Sequence, residues 1–166
     1  MIQFVPSIRL CFWLIFLFSV TAMAAMLFMQ YGMELEPCYL CIVQRVFMIG
    51  LGVVALVAAV HNPQSWGRRV YALLGLGLSL GGVFFAGRHV WIQNLPEDQV
   101  PVCGPGFDYL WENFPLLEVT QLLMRGDGNC HEVVWSFLGL SIPGWSIIGF
   151  SFVSLVYLWQ LLRVKT

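Results

Sequence analysis

Four stretches of about 20 residues, almost free of charge, dominate this chain and leave it few architectures. They run from Leu10 to Tyr31, Cys41 to Val60, Val70 to Gly87 and Gly144 to Leu162. A helix rises about 1.5 Å per residue, so each stretch is long enough to cross a hydrocarbon core of about 30 Å. Gln30 is the only strongly polar residue of the first stretch, and Gln44 and Arg45 occupy the first turn of the second. Composition points the same way, with 59% hydrophobic residues, 10% charged residues and a mean hydropathy of +0.80. So little chain is left over that a separate soluble domain is excluded. The expected fold is all-α: a single membrane domain over residues 1–166, built as a bundle of four transmembrane helices with outer loops over 32–40 and 88–143.

Arg9 before an apolar run and Ala22-Met23-Ala24 imitate a secretory signal with its cleavage site. The apolar run continues well past Ala24, which suits a span better than a signal core of roughly 7 to 15 residues. Charge then sets orientation. All nine acidic residues, Glu34, Glu36, Glu97, Asp98, Asp108, Glu112, Glu118, Asp127 and Glu132, follow the first or the third span. The opposite side receives Arg9, Arg68, Arg69, Arg163 and Lys165, and only Arg45, Arg88 and Arg125 remain on the acidic side. The positive-inside rule predicts cytoplasmic termini and a cytoplasmic connection over 62–69. Cys38, Cys41, Cys103 and Cys130 then face outward, where disulfides persist.

The long outer segment is punctuated by Pro96, Pro101, Gly104, Pro105, Gly106, Pro115, Gly126 and Gly128. A compact fold is not expected there. Within it, residues 116–124 place apolar side chains at helical spacing between Phe114-Pro115 and Gly126, which predicts a short helix lying in the membrane interface. Trp66, Trp91, Trp111, Trp135 and Trp145 fall near the span ends as aromatic anchors do. Glycines 50, 52, 75, 77, 81 and 82 permit close helix packing.

Cys38-Tyr39-Leu40-Cys41 is a C-x-x-C, and Pro37 before it suits the opening of a helix. Residues three apart on a helix are near enough for a disulfide, and the helix N-terminus favours the thiolate that attacks disulfides. Haem attachment would require His at position 42, which is Ile42. A zinc site using Cys38, Cys41, Cys103 and Cys130 lacks a second close-spaced pair and would lie in an oxidising compartment, so no metal is expected. A bridge between Cys103 and Cys130 would close a loop of roughly 28 residues, which as a staple stabilises by about 3 to 4 kcal/mol. Glycine and proline around Cys103 equally suit an exposed bridge that a partner must reach. Cys11, the fifth cysteine, reads as a packing residue.

Arg45 shares a helix face with Cys41 at i and i+4. It is either an interfacial snorkel or a cation placed to stabilise a thiolate and the reduced form of an oxygen-rich acceptor. His89, at the outer end of the third span, is either a donor to the same acceptor or a histidine satisfied by a backbone carbonyl.

Cys38-Tyr-Leu-Cys41-Ile-Val-Gln-Arg45, His89-Val-Trp-Ile-Gln93, the Cys103 and Cys130 pair, and Trp135-Ser-Phe-Leu-Gly-Leu-Ser-Ile-Pro143 together closely resemble the DsbB family of quinone-dependent bacterial disulfide bond formation proteins. The likeness covers nearly the whole chain. It implies a multi-pass protein of the bacterial inner membrane with periplasmic cysteine pairs. It also implies a disulfide between Cys103 and Cys130 that a reduced DsbA-type thiol oxidoreductase attacks at Cys103. Exchange with Cys38–Cys41 would follow, and the Cys41 thiolate would meet ubiquinone or menaquinone, assisted by Arg45. The implied partners are the DsbA-like protein, the quinone and the bilayer, and nucleic acid is not among them. Gln44 departs from the pattern, since the best-known member carries an acid beside the arginine, so Arg45 is expected to have a different polar neighbour.

Two other readings remain. Quinone-coupled proteins resembling the vitamin K epoxide reductase family place their C-x-x-C in the last spans, whereas here it opens the second. A four-helix scaffold or transporter with purely structural disulfides would predict charged or strongly polar residues deep in the spans, and none appear away from the span boundaries.

Overall fold

A computed structural model describes residues 7–163, apart from the side chains of Ser65 and Asp108; Lys165, counted above among the inner-side charges, lies outside them. The four apolar stretches form α1 (Ile8–Gly32), α2 (Tyr39–His61), α3 (Ser65–Gln93) and α6 (Ile142–Arg163). All four are long and apolar enough to cross a membrane, and the protein is an all-α membrane bundle. Ser7 caps α1 by accepting the Leu10 N–H at 3.2 Å, and α1 continues unbroken through Ala22-Met23-Ala24. Asn62 ends α2 in the left-handed conformation, with its N–H donating to the Ala58 carbonyl. Helix α3 extends beyond the apolar run at both ends, so Arg68, Arg69, Arg88 and His89 are helical residues.

Helix α3 packs chiefly on α6, and α1 on α2, with α2 and α3 joining the two pairs. The core holds Phe12, Leu51, Ala55, Ala58, Ala59, Ala72, Phe150 and Tyr157. Glycine makes the α3–α6 approach possible: a Cβ on Gly75 would lie 2.2 Å from the Tyr157 ring, and one on Gly82 would lie 2.5 Å from that of Phe150. Gly77 faces open space and has no such role. Outward-facing Leu14, Leu17, Val46, Val57, Leu80, Phe84 and Phe152 are exposed, as a surface that meets lipid requires.

The long outer segment is more ordered than its proline and glycine content suggests, which corrects the expectation of a loop without compact fold. The expected helix is present as α5 (Leu116–Arg125), turning Val119 inward and Leu116, Leu117 and Met124 outward. A further helix, α4 (Phe107–Asn113), precedes it. Leu110 of α4 and Val119 of α5 bury themselves against Tyr39, so the segment gains a small core at the outer end of α2. Beyond the 3-10 turn Gly128–Cys130, strands β1 (Ser136–Phe137) and β2 (Leu140–Ser141) form a hairpin, pairing Ser136 with Ser141 and Phe137 with Leu140. Leu138 and Gly139 both take positive φ, as a two-residue type I′ turn requires. Ser141 Oγ donates to Gln93 Oε1 at 2.7 Å and Trp145 Nε1 to the Phe137 carbonyl at 3.1 Å, fastening the hairpin to α3 and α6.

Candidate active site

Cys38 is the N-cap of α2, extended at φ −68° and ψ 168°, and Cys41 lies in the first turn. The helical spacing brings their Sγ atoms to 3.1 Å. Cys130 comes to the same place from the outer segment: its side chain is fully buried between Leu40 and Ile92 and hydrogen-bonds Cys38. His89 completes the cluster from α3, with Nε2 3.6 Å from Cys38 Sγ and Nδ1 4.0 Å from Cys41 Sγ. One ligand atom each of Cys38, Cys41 and His89 lies within 4.8 Å of the others, close enough to hold a metal ion. The same crowding of sulfur is what thiol–disulfide exchange needs.

Cys103 stands apart as an exposed thiol on the segment before α4. All five cysteines are free in this structure. Gly128 lets the two halves of the outer segment touch, because a Cβ there would lie 2.6 Å from the Pro101 carbonyl oxygen and 2.8 Å from Cys103 Sγ. The Cys103 segment therefore rests on the turn that carries Cys130. Tyr39, between the two cysteines of the C-x-x-C, ties the other side of this segment by donating its hydroxyl proton to the Pro105 carbonyl.

Cys130 and Cys38 are unlike acids. The hydrogen bond with Cys38 holds the Cys130 thiol below its ordinary value, opposing burial and aided by backbone contacts at Asp127 and Leu40. Cys38 is pushed up, first by its hydrogen bonds to Cys130 and Cys41 and then by burial. Cys130 is thus the more acidic sulfur of this pair, and the thiolate is the form that attacks disulfides.

Gln44 is buried, and its Nε2 donates to His89 Nδ1 at 3.2 Å. With Nδ1 accepting, the ring proton sits on Nε2, the nitrogen that faces Cys38. Arg45 turns to a different neighbour and donates from Nη1 to Gln30 Oε1 of α1. These are the polar arrangements left open when Gln44 stands beside the arginine. Gln30 and Tyr39 carried the faintest signals in the sequence, one as the lone strongly polar residue of an apolar run, the other as an aromatic between two cysteines.

Cys41 borders two clefts. One contains Cys38, His89, Gln93, Asn129 and Glu132. The other contains Gln30, Glu36, Gln44 and Arg45, with Met26, Met29, Ile142 and Ser146 at its edge. Those last four residues also line an apolar groove of about 590 Å³ between α1 and α6, bounded by Phe18, Ala22, Met48, Ile148 and Phe152. The structure thus brings Cys38, Cys41, Cys130 and His89 together, joins Arg45 to them through Cys41, and leaves Cys103 at the surface.

Four apolar helices with a knot of thiols at one end define a membrane protein whose chemistry is thiol–disulfide exchange. Residues 8–160 match the family described as Disulfide bond formation protein DsbB. The Disulfide bond formation protein B of Nitrosococcus oceani is 51% identical over 157 residues, covering 95% of this chain and 93% of that one. That of Saccharophagus degradans is 52% identical over 161 residues, covering 95% of each, and that of Methylococcus capsulatus 49% identical over 145 residues, covering 87% and 88%. The chain belongs to the DsbB family and is a disulfide-forming membrane oxidoreductase. A scaffold or transporter with merely bracing disulfides is not favoured.

Proposed function

We propose that the protein re-oxidises a DsbA-type periplasmic thiol oxidoreductase and passes the two electrons to ubiquinone or menaquinone in the bacterial inner membrane. A relay of this kind is the established route that keeps the bacterial periplasm oxidising. Both termini are cytoplasmic in this reading, and the charge asymmetry of the connecting segments supports it.

The incoming thiolate attacks Cys103 of a Cys103–Cys130 disulfide, and Cys130 leaves with the bonding electron pair. Exposure of Cys103 and the close approach at Gly128 support this first step. Cys130 then attacks Cys38, so a Cys38–Cys130 bond forms as the Cys38–Cys41 bond breaks and Cys41 departs as a thiolate. The packing of Cys130 in one cluster with Cys38 supports the second step. The partner's second thiol resolves its mixed disulfide with Cys103, so one dithiol becomes one disulfide and surrenders two electrons and two protons.

A quinone fits the Arg45 cleft and the groove beyond it. Arg45 would hold the oxygen-rich ring, and the apolar walls between α1 and α6 would take a polyprenyl tail. When bound there, it supplies the two-electron acceptor. Gln30 holds Arg45 in place, His89 stands on the sulfur side of Cys41, and Gln44 lines the Arg45 cleft while donating to His89. The single observation carrying the proposal is that Cys41 borders both the thiol cluster and the Arg45 cleft.

The test is turnover. Purified protein, a reduced DsbA-like partner and a soluble quinone should together lose quinone absorbance, and Cys41→Ser and Cys103→Ser should each abolish that loss. Normal turnover by both serine variants would overturn the relay.

A further inference from the structure

Asp127 has no part in the relay as described, yet it is 2% exposed and touches a reacting sulfur. Its Oδ1 accepts a hydrogen bond from Cys130 Sγ at 3.2 Å, and its Oδ2 accepts one from Asn129 Nδ2 at 2.7 Å. The 3-10 turn keeps the two residues in register, because the Cys130 N–H donates to the Asp127 carbonyl at 3.1 Å. A carboxylate buried at the end of a loop turn needs a reason to be there. A packing role would be met by any small residue that accepts from Asn129.

We propose that Asp127 is a catalytic proton acceptor and donor for Cys130 during exchange within the sulfur cluster. The inference rests on the relay proposed above. Whenever Cys130 stands as a thiol rather than as the thiolate just released from Cys103, it gives its proton to Asp127 Oδ1 as its sulfur attacks Cys38. The Cys38–Cys41 bond breaks, a Cys38–Cys130 bond forms, and Cys41 leaves as a thiolate. One thiol, one carboxylate and one disulfide become one disulfide, one thiolate and one carboxylic acid, so charge and electrons balance. In the reverse exchange Cys41 attacks Cys38, Cys130 is expelled and Asp127 returns the proton.

Proton transfer between groups already in hydrogen-bond contact needs no solvent, which matters because Cys130 is fully buried. The other titratable groups around the pair are Cys38, Tyr39 and Cys41 from α2, His89 from α3, Cys103 from the neighbouring segment and His131 next in the chain, with Glu36 and Glu132 at the rim of the cleft.

Cys103→Ser isolates the step, since Cys130 then starts as a thiol while Cys38–Cys41 is oxidised. In the presence of excess maleimide, each attack frees Cys41 for irreversible labelling. The mass of protein bridged at Cys38–Cys130 and tagged at Cys41 then counts the events. With Asp127 present, the rate should be nearly flat between about pH 6 and pH 8. Adding Asp127→Asn should slow the step about 100-fold at the lower pH, the low end of what a positioned acid or base contributes. The residual rate should climb about tenfold per pH unit as solvent takes the proton. Asp127→Ser, which keeps an oxygen for Asn129 but no base, should behave like Asn, and Asp127→Glu should keep the flat profile. Circular dichroism shows whether each variant is folded. Equal or faster rates with the parent's pH profile in the folded Asn or Ser variants would overturn the role of Asp127. If no Cys38–Cys130 bridge forms at any pH with Asp127 intact, the relay itself fails and takes this inference with it.

Discussion

Gln44 Nε2 and His89 Nδ1 meet 3.2 Å apart inside the bundle, and this contact places the imidazole proton on Nε2, the nitrogen nearer Cys38. Both side chains are buried, so neither finds water if the other is removed. Gln44→Leu should leave Nδ1 without its donor, at a cost of about 1–3 kcal/mol seen as a lower melting temperature. Turnover should fall roughly fivefold, which corresponds to about 1 kcal/mol of barrier. The apparent Michaelis constant for quinone should rise less than in Arg45→Met, because Gln44 lines the cleft without carrying a charge. A variant with unchanged turnover would show that the ring orientation is set elsewhere.

Arg45 and Gln30 act as a pair across α2 and α1. Arg45→Met should raise the apparent Michaelis constant for quinone roughly 10- to 100-fold, as loss of a hydrogen bond from a charged donor worth about 1.5–3 kcal/mol implies. Gln30→Leu should raise it less, by about fivefold, because the guanidinium remains but is no longer held. Arg45→Lys should rescue poorly, since a point charge cannot reproduce the planar fork of donors. Steady-state kinetics with varied quinone checks all three, and an unchanged constant in Arg45→Met would return the arginine to an interfacial snorkel.

Gly75 and Gly77 lie two residues apart on α3 and should respond oppositely to the same change. A Cβ at Gly75 would intrude to 2.2 Å on the buried Tyr157 ring, so Gly75→Ala should destabilise the bundle by about 1–3 kcal/mol. Gly77→Ala meets nothing within 4 Å and should leave stability unchanged or slightly raised. Thermal unfolding in detergent compares them directly.

The spans were legible because hydropathy over about 20 residues is a local property. So was α5, whose apolar spacing lies within one short segment. Cys38, Cys41 and Arg45 could be singled out because a C-x-x-C followed by arginine four residues after its second cysteine is local too. What stayed hidden are relationships between distant segments. Gln30 reaches Arg45 across a helix pair, Gln44 reaches His89 from α2 to α3, and Cys130 reaches Cys38 from the outer segment. Helix α4 and the hairpin escaped notice for a related reason. Leu110 is held by Tyr39 and Val119, and Ser141 by Gln93, so neither element announces itself by periodicity alone. Asp127 looked like one of nine acids on the outer side, and only burial beside Cys130 sets it apart.

The sulfur path from Cys103 to Cys41 is tested most directly by disulfide mapping in a single turnover. Protein freed of quinone is mixed with one equivalent of reduced DsbA-like partner, quenched with acid, alkylated and mapped by mass. The relay predicts a partner bridge at Cys103, a Cys38–Cys130 bridge and an alkylated Cys41 in the same molecules. Partner oxidation with Cys38–Cys41 still bridged and Cys130 alkylated would contradict it.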